Sequence, residues 1–215
     1  MAFLVFEGLD GAGKSTLIRG LEDHLSGRGI KTLLTREPGG TPLGEEIRSM
    51  LLRTQGDSPV PRAELLLYQA ARAQHVEMLL KPAIDEGTWV LCDRFTQSTV
   101  AFQVGGRKLE ATSVDWLNQY ATGGLAPDLV ILLDLSVDES LNRMAHRENQ
   151  LSQARDRFEL EQKSFHEGVR GNYLAQAKLA PDKWLVLSAE KSPEALLTLL
   201  ISALEKKGWL DYLTF

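Results

Sequence analysis

Short apolar runs alternate with amphipathic stretches along the chain. Four runs are apolar at every position, which is typical of strands that are buried on both faces, and a fifth, less apolar run at 30–35 is also predicted to be a strand. The five runs lie at residues 2–6, 30–35, 89–92, 129–133 and 184–187. Apolar residues between the runs recur at helical spacing, which predicts helices at 14–28, at 43–52, from 61 to about 86 and at 195–204. The pattern therefore predicts an α/β fold with a parallel sheet of about five strands and helices on both faces.

Charged residues directly follow four of the predicted strands. They are Glu7-Gly8, Arg36-Glu37, Asp93-Arg94 and Asp134. In a parallel sheet, ligands bind beyond the carboxyl ends of the strands, so chemistry is expected at these positions. An acid and a base such as Asp93 and Arg94 are poor core residues. Asp93 stands where phosphate-loop enzymes place the carboxylate that organises Mg²⁺.

The segment between the first strand and the first helix fits the phosphate-binding pattern G-x-x-x-x-G-K-[ST]. Backbone N–H groups of such a loop point at one anion, and Lys14 adds a positive charge for the outer phosphates. The Ser15 hydroxyl is a predicted Mg²⁺ ligand. The predicted phosphate-binding residues are Gly8, Leu9, Asp10, Gly11, Ala12, Gly13, Lys14, Ser15 and Thr16. This loop alone does not separate a kinase from a GTPase, a transport ATPase or a storage site.

Two further sets of residues suit a second, phosphorylated ligand. Arg36 and Arg48 flank the second strand end, where a guanidinium can hold a phosphate, although both could equally be surface charges. Side chains at i,i+4 spacing offer hydroxyls, amides and aromatic rings that suit a nucleobase. These are Tyr68 with Arg72, and Thr99 with Gln103, with Ser98 and Phe102 adjacent. Taken alone, Tyr68 could instead be a core residue and Arg72 a solvated one.

Composition narrows the functional classes. The 215 residues suit a single globular domain, and the net charge of -5 argues against a broad basic surface for nucleic acid. The single cysteine, Cys92, excludes an internal disulfide and a multi-cysteine zinc site. No apolar stretch approaches the ~20 residues of a membrane span, and the N-terminus lacks the features of a signal peptide. A cytoplasmic protein without a membrane partner is expected.

Six segments together resemble bacterial thymidylate kinases. In chain order they are GLDGAGKST, TREPGGTPLGEEIR, LLLYQAARAQH, DRFTQSTVAFQ, APDLVILLDL and DRFE. The resemblance extends from residue 3 to about residue 204. It implies a P-loop nucleoside monophosphate kinase fold with one kinase domain over residues 1–215 and a short lid. It also implies phosphorylation of dTMP to dTDP by ATP with Mg²⁺, in dTTP synthesis, by a homodimer.

The resemblance also implies roles for individual residues. The catalytic set comprises Asp10, Lys14, Arg94, Arg147 and Arg155. The dTMP-binding set comprises Asp10, Arg36, Pro38, Arg48, Tyr68, Arg72, Arg94, Ser98, Thr99, Phe102 and Gln103. Arg143 joins the phosphate loop in binding ATP, and Ser15 with Asp93 would hold the metal. Tyr68 stands where relatives more often have phenylalanine, and Phe102 where they more often have tyrosine.

The glycine at position 11 indicates a subclass of this family. Relatives with glycine there supply a catalytic arginine from a mobile lid, which corresponds to about residues 145–156. This lid contains Arg147 and Arg155, with Arg143 just before it, and is longer and less basic than the usual bacterial lid. Which of these arginines is catalytic stays open.

Two alternatives are weighed against this interpretation. The first is a kinase for another nucleoside monophosphate or a small metabolite, against which the residues that suit a pyrimidine argue. The second is a GTP-driven switch, which usually reads guanine with an Asn-Lys-x-Asp motif. No asparagine in the chain precedes a lysine, and the Leu-Ser-Gly-Gly-Gln signature of ABC-type ATPases is absent.

Overall fold

The computed structural model describes residues 1–151 and 156–210, without the side chains of 149–151. Its strands are β1 (Phe3–Glu7), β2 (Thr32–Arg36), β3 (Trp89–Asp93), β4 (Leu129–Asp134) and β5 (Trp184–Ser188). They form one sheet in the order β2–β3–β1–β4–β5, and every neighbouring pair is parallel. The predicted α/β fold with a five-stranded parallel sheet is confirmed.

Helices connect the strands throughout the described residues. They are α1 (Lys14–Ser26), α2 (Pro42–Leu52), α3 (Pro61–His75), α4 (Lys81–Asp85), α5 (Thr96–Thr99), α6 (Ala111–Thr122), α7 (Val137–Leu151), α8 (Lys163–Leu179) and α9 (Pro193–Lys206). A π-helical segment, Val76–Leu80, joins α3 to α4, so the long helix predicted from residue 61 is helical to residue 85 with one widened turn. A second π-helical segment, Val100–Gly106, follows α5. None of the described helices has the length and apolarity needed to cross a membrane.

The central strand β1 explains why the strands read as continuous apolar runs. Its alternate residues point to opposite faces of the sheet, and both faces are covered. Leu4 and Phe6 belong to the core that α1 and α9 close on one face, whereas Phe3 and Val5 belong to the core on the other face. All four side chains are buried. Burial on both faces removes the polar alternation of a one-sided sheet.

The carboxyl ends of β1, β2 and β3 lie level with one another. Asp93 at the end of β3 pairs in register with Phe6 of β1 and with Arg36 of β2. The loop after β1 packs against the neighbouring strand and helix, because the Ser140 hydroxyl on α7 donates to the Asp10 carbonyl at 2.6 Å. This edge of the sheet is where the charged residues predicted from the sequence meet.

Candidate active site

A cleft of about 740 Å³ opens at the carboxyl ends of these strands. It gathers most of the side chains that the sequence assigned to a site. The predicted residues that line it are Asp10, Gly11, Gly13, Lys14, Ser15, Thr16, Arg36, Pro38, Arg48, Tyr68, Arg72, Asp93, Arg94, Ser98, Thr99, Phe102, Gln103 and Arg147. Residues that lie up to 137 positions apart in the chain therefore share one cavity, as their assignment to two neighbouring ligands requires.

A few predicted residues lie behind the cleft lining. The carbonyls of Gly8 and Leu9 each accept a hydrogen bond from Lys14 Nζ at 3.2 Å, and Ala12 is buried. Arg143 lies against the back of the loop, where it donates to the Gly11 carbonyl at 3.3 Å and to Glu139 at 2.8 Å. Arg155 lies outside the described residues, so its catalytic role stays a prediction.

The phosphate loop (residues 8–15) leads directly into the first turn of α1. Helix α1 begins at Lys14, and its N-cap residue, Gly13, has no side chain to accept from the free N–H groups of that turn. Those N–H groups and the positive end of the helix suit an anion. Burial lowers the pKa of Lys14, and the neighbouring Arg94 lowers it further. Lys14 of the loop and Arg94 after β3 thus lie close together, as a ligand with several negative charges requires.

Asp10 stands between the two cations. Its Oδ1 accepts from Arg94 Nη2 at 2.8 Å and lies 3.8 Å from Lys14 Nζ. Burial by itself would raise the pKa of Asp10, but Arg94 and Lys14 outweigh it and hold that pKa at about 2. The Asp10 carboxylate therefore accepts hydrogen bonds at any physiological pH.

Arg94 is fixed from several sides. Its Nη1 donates to Tyr173 Oη at 3.0 Å and to Ser98 Oγ at 3.2 Å, and the guanidinium lies over the Phe102 ring at 5.1 Å. Its backbone φ of 72° lies in the left-handed region, which a non-glycine residue adopts at a cost. Burial would lower its pKa, but Asp10 raises it, so the group stays cationic. A strained, oriented cation in a cleft is typical of a functional residue.

Glu7 is a buried carboxylate beside the site, which was predicted from the sequence only as a charged residue at a strand end. It is fully buried, and it accepts from the Ser98 hydroxyl at 2.6 Å and from the Tyr173 hydroxyl at 2.8 Å. The backbone N–H groups of Phe95 and Ser98 also donate to it. Burial raises its pKa, against the pull of Arg94. Glu7 thus holds the groups that orient Arg94, and an acid that ends an apolar strand was the available signal.

The other half of the cleft centres on Arg72, which is 2% exposed. Its Nε donates to Glu37 at 2.8 Å, and its Nη1 donates to Thr99 Oγ1 at 2.8 Å and to Asn118 Oδ1 at 2.9 Å. A solvated role for this arginine is wrong, because burial and these partners lock it in one orientation. Tyr68 lines the cleft nearby, and its burial raises the pKa of its hydroxyl.

Glu37 and His75 form a buried pair behind Arg72. Glu37 Oε1 lies 2.9 Å from His75 Nδ1, and His75 Nε2 lies 2.7 Å from Thr35 Oγ1. His75 itself has no exposed surface. His75 therefore supports the carboxylate that orients Arg72.

Arg36 and Arg48 face the cleft from the β2 end. Arg36 Nη2 donates to Glu45 at 2.8 Å, and Arg48 Nη1 donates to the Pro38 carbonyl at 3.0 Å. Burial lowers the pKa of Arg48, and the like charge of Arg36 lowers it further. Two cations that repel each other gain from an anion between them.

Phe158 and Glu159, which follow the predicted lid, also line the cleft. Phe158 packs its ring 5.8 Å from that of Phe102 and 6.2 Å from that of Tyr68. Arg147, on α7, lines the cleft and forms an ion pair with Glu159. No role was predicted for Phe158 or Glu159, because their contacts are set by tertiary packing.

Ser15 and Asp93 fit a divalent cation. Both line the cleft, and Oδ1 of Asp93 is buried without a hydrogen-bond partner among the described residues. A buried carboxylate oxygen of this kind needs a cation or a donor, which the described part of the chain does not supply. Oxygen ligands beside bound phosphates are those that Mg²⁺ prefers.

Comparison with known proteins shows the family to which the chain belongs. The family model described as thymidylate kinase matches residues 6–199. A thymidylate kinase of Bdellovibrio bacteriovorus is 52% identical over 96% of this chain and 97% of its own length. Thymidylate kinases of Geotalea daltonii (50% identity, 86% and 87% coverage) and Chromohalobacter salexigens (46%, 90% and 90%) are also similar. The chain therefore belongs to the thymidylate kinase family, the enzymes that phosphorylate dTMP to dTDP.

Proposed function

We propose that the cleft transfers the terminal phosphoryl group of ATP to the phosphate of dTMP. The observation that carries this proposal is the arrangement of Asp10, Lys14 and Arg94 at one end of the cleft and the buried Arg72 with Tyr68 at the other. The first group suits two meeting phosphates. The second suits an uncharged ring with hydrogen-bonding edges.

On the donor side, the phosphate loop and Lys14 bind the ATP phosphates. Arg143 supports the loop from behind, through its bond to the Gly11 carbonyl. The Ser15 hydroxyl and the Asp93 carboxylate would hold Mg²⁺, which would neutralise charge on the phosphates. These residues act by position and charge, since the phosphate oxygen that attacks is already ionised and needs no strong base.

On the acceptor side, Arg36 and Arg48 bind the dTMP phosphate, with Pro38 beside them. Arg94 lies between the two ligands and stabilises the charge that spreads over the transferred group. Asp10, with its low pKa, accepts a hydrogen bond from the deoxyribose hydroxyl.

The base is held by the group that we call the base pocket, namely Tyr68, Arg72, Ser98, Thr99, Phe102 and Gln103. The Tyr68 ring stacks on the pyrimidine, and Arg72 donates to a ring carbonyl. One lid arginine, Arg147 or Arg155, is proposed to reach the transferred group. For Arg147, this requires release of its ion pair with Glu159.

A coupled kinase assay with ATP and Mg²⁺ tests the proposal. We expect phosphorylation of dTMP to exceed that of UMP, CMP and AMP by orders of magnitude in kcat/KM, with dUMP next. For CMP and AMP the physical reason is that Arg72 and its partners are locked before the base arrives. Activity confined to another monophosphate would overturn the substrate assignment. GTP hydrolysis without any transfer to a monophosphate would favour the switch instead.

We also propose that residues 1–215 act as one kinase domain, in the cytoplasm where ATP is supplied, and as a homodimer. Support for the second copy comes from α6, where Trp116 and Tyr120 are 63% and 77% exposed and their rings stack at 5.6 Å. Leu66, on the neighbouring helix α3, is also exposed. Exposed aromatic residues of this kind are enriched at protein interfaces. Sedimentation measures whether the protein has the mass of one chain or of two.

A further inference from the structure

The side-chain amide of Gln103 is anchored at one end and free at the other. Its Nε2 donates to Glu64 Oε1 at 2.7 Å. Its Oε1 is buried and has no hydrogen-bond partner among the described residues, although Gln103 lines the cleft. Because an unsatisfied buried acceptor is costly, this oxygen indicates a donor that arrives with a ligand.

Glu64 decides which end of the amide is anchored. Its carboxylate is fully buried and faces only donors. Besides Gln103, these are Arg107 Nε and Nη2 at 3.1 and 3.2 Å and Arg157 Nη2 at 2.6 Å. A carboxylate held by two guanidinium groups accepts hydrogen bonds and gives none. The amine of Gln103 must therefore turn toward Glu64, which leaves only the amide oxygen for a ligand.

The same cleft carries a fixed donor. Arg72 can only donate, and its Nε and Nη1 are held by Glu37, Thr99 and Asn118. A guanidinium donor together with an amide acceptor matches a ring edge that pairs a carbonyl oxygen with a ring N–H. Thymine and uracil have that edge. Cytosine presents an amino group and an unprotonated ring nitrogen. Its amino group, a donor, would face the Arg72 donor, and its ring nitrogen, an acceptor, would face the Gln103 amide oxygen.

We propose that Glu64 is a positioning residue for substrate selection, which fixes the Gln103 amide so that the site accepts a base with a ring N–H and rejects cytosine. The inference rests on the proposed function. Glu64 itself need not touch the substrate. Its effect is to remove one of the two orientations that a glutamine side chain could otherwise adopt.

The test is the Glu64→Gln variant, whose new amide can donate to Gln103 Oε1 and so permits the reversed orientation. We expect the ratio of kcat/KM for dTMP to that for dCMP to fall by about tenfold or more, because a lost buried hydrogen bond is worth that factor. The ratio of dTMP to dUMP, which share the same edge, should stay unchanged. A merely structural defect would lower kcat/KM for dTMP, dCMP and dUMP by the same factor. Both ratios would then stay unchanged, which would contradict the proposal.

Two further variants complete the design. Glu161→Gln is the matched control, since Glu161 pairs with Arg107 at 2.5 Å without contacting Gln103, and its dTMP to dCMP ratio should equal that of the wild type. Gln103→Leu should lower the ratio as Glu64→Gln does, and adding Glu64→Gln to it should change the ratio no further. An unchanged ratio in Gln103→Leu, or an additive effect in the double variant, overturns the role of Glu64. A wild-type protein inactive on dTMP overturns the proposed function itself.

Discussion

Three groups hold the Arg94 side chain before any substrate arrives, namely Asp10, Ser98 and Tyr173. Such a preorganised cation stabilises developing charge without having to reorient during the reaction. We expect Arg94→Ala to lower kcat by about 10²–10³-fold, the effect of removing one preorganised donor. The measurement is steady-state turnover of dTMP at saturating ATP.

The control for this prediction is Arg28→Ala. Arg28 pairs with Glu205 at 3.4 Å and does not line the cleft, so kcat should be unchanged. Circular dichroism should show that both variants stay folded, because Asp10 keeps Lys14 as a partner in Arg94→Ala. Turnover within a few-fold of the wild type in Arg94→Ala would remove Arg94 from the catalytic set.

At the residue scale, the sequence predicted the side chains that follow a motif but not those that orient them. Lys14, Arg94 and Arg72 could be placed because their neighbours in the chain carry the pattern. Tyr173 could not, since it lies 79 positions beyond Arg94 and reaches it only through tertiary folding. Glu64 sits on an ordinary helix, and nothing in its local sequence indicates a buried carboxylate.

At the element scale, the junction between β1 and the phosphate loop depends on Gly8. Its φ is 136°, and a Cβ at this position would lie 2.4 Å from the Leu133 carbonyl oxygen on β4. The obstructing atoms belong to the Leu133 backbone, which cannot move aside as a flexible side chain can. We expect Gly8→Ala to lower the free energy of unfolding by about 2–3 kcal/mol or more, as measured by urea denaturation.

Gly171, within α8, provides the matched control. A Cβ there meets open space, and its backbone is helical. Gly171→Ala should therefore raise the free energy of unfolding, by up to about 1 kcal/mol, because alanine is the better helix former. Equal effects of the two substitutions would mean that the contact with β4 does not constrain the loop.

The strands and helices themselves were predicted closely, because apolar runs and helical spacing report burial directly. The two π-helical segments were not predicted. In Val100–Gly106, the wider turn moves side chains away from the i,i+4 spacing assumed for Thr99 and Gln103. Both residues still line the cleft, although the helical geometry from which they were chosen was only approximate.

At the scale of the whole molecule, the exposed aromatic pair on α6 predicts self-association. We expect sedimentation at micromolar concentration to give twice the mass of the chain, and Trp116→Glu to give the mass of one chain, because a buried charge would oppose an apolar interface. Leu179→Glu is the control, since Leu179 is 86% exposed on α8, and it should leave the mass unchanged. A wild-type protein that sediments as a single chain would contradict the homodimer.

The support of the phosphate loop has a consequence for the order in which the protein matures during synthesis. The loop is made well before the groups that lie against it. The Leu133 carbonyl, beside Gly8, and the Ser140 hydroxyl, which donates to the Asp10 carbonyl, both come about 125 to 130 positions later in the chain. Strand β1 likewise gains its β4 neighbour only then. A nascent chain that stops before β4 therefore carries the full nucleotide-binding motif without its scaffold, and the capacity to capture nucleotide is delayed until most of the domain has emerged.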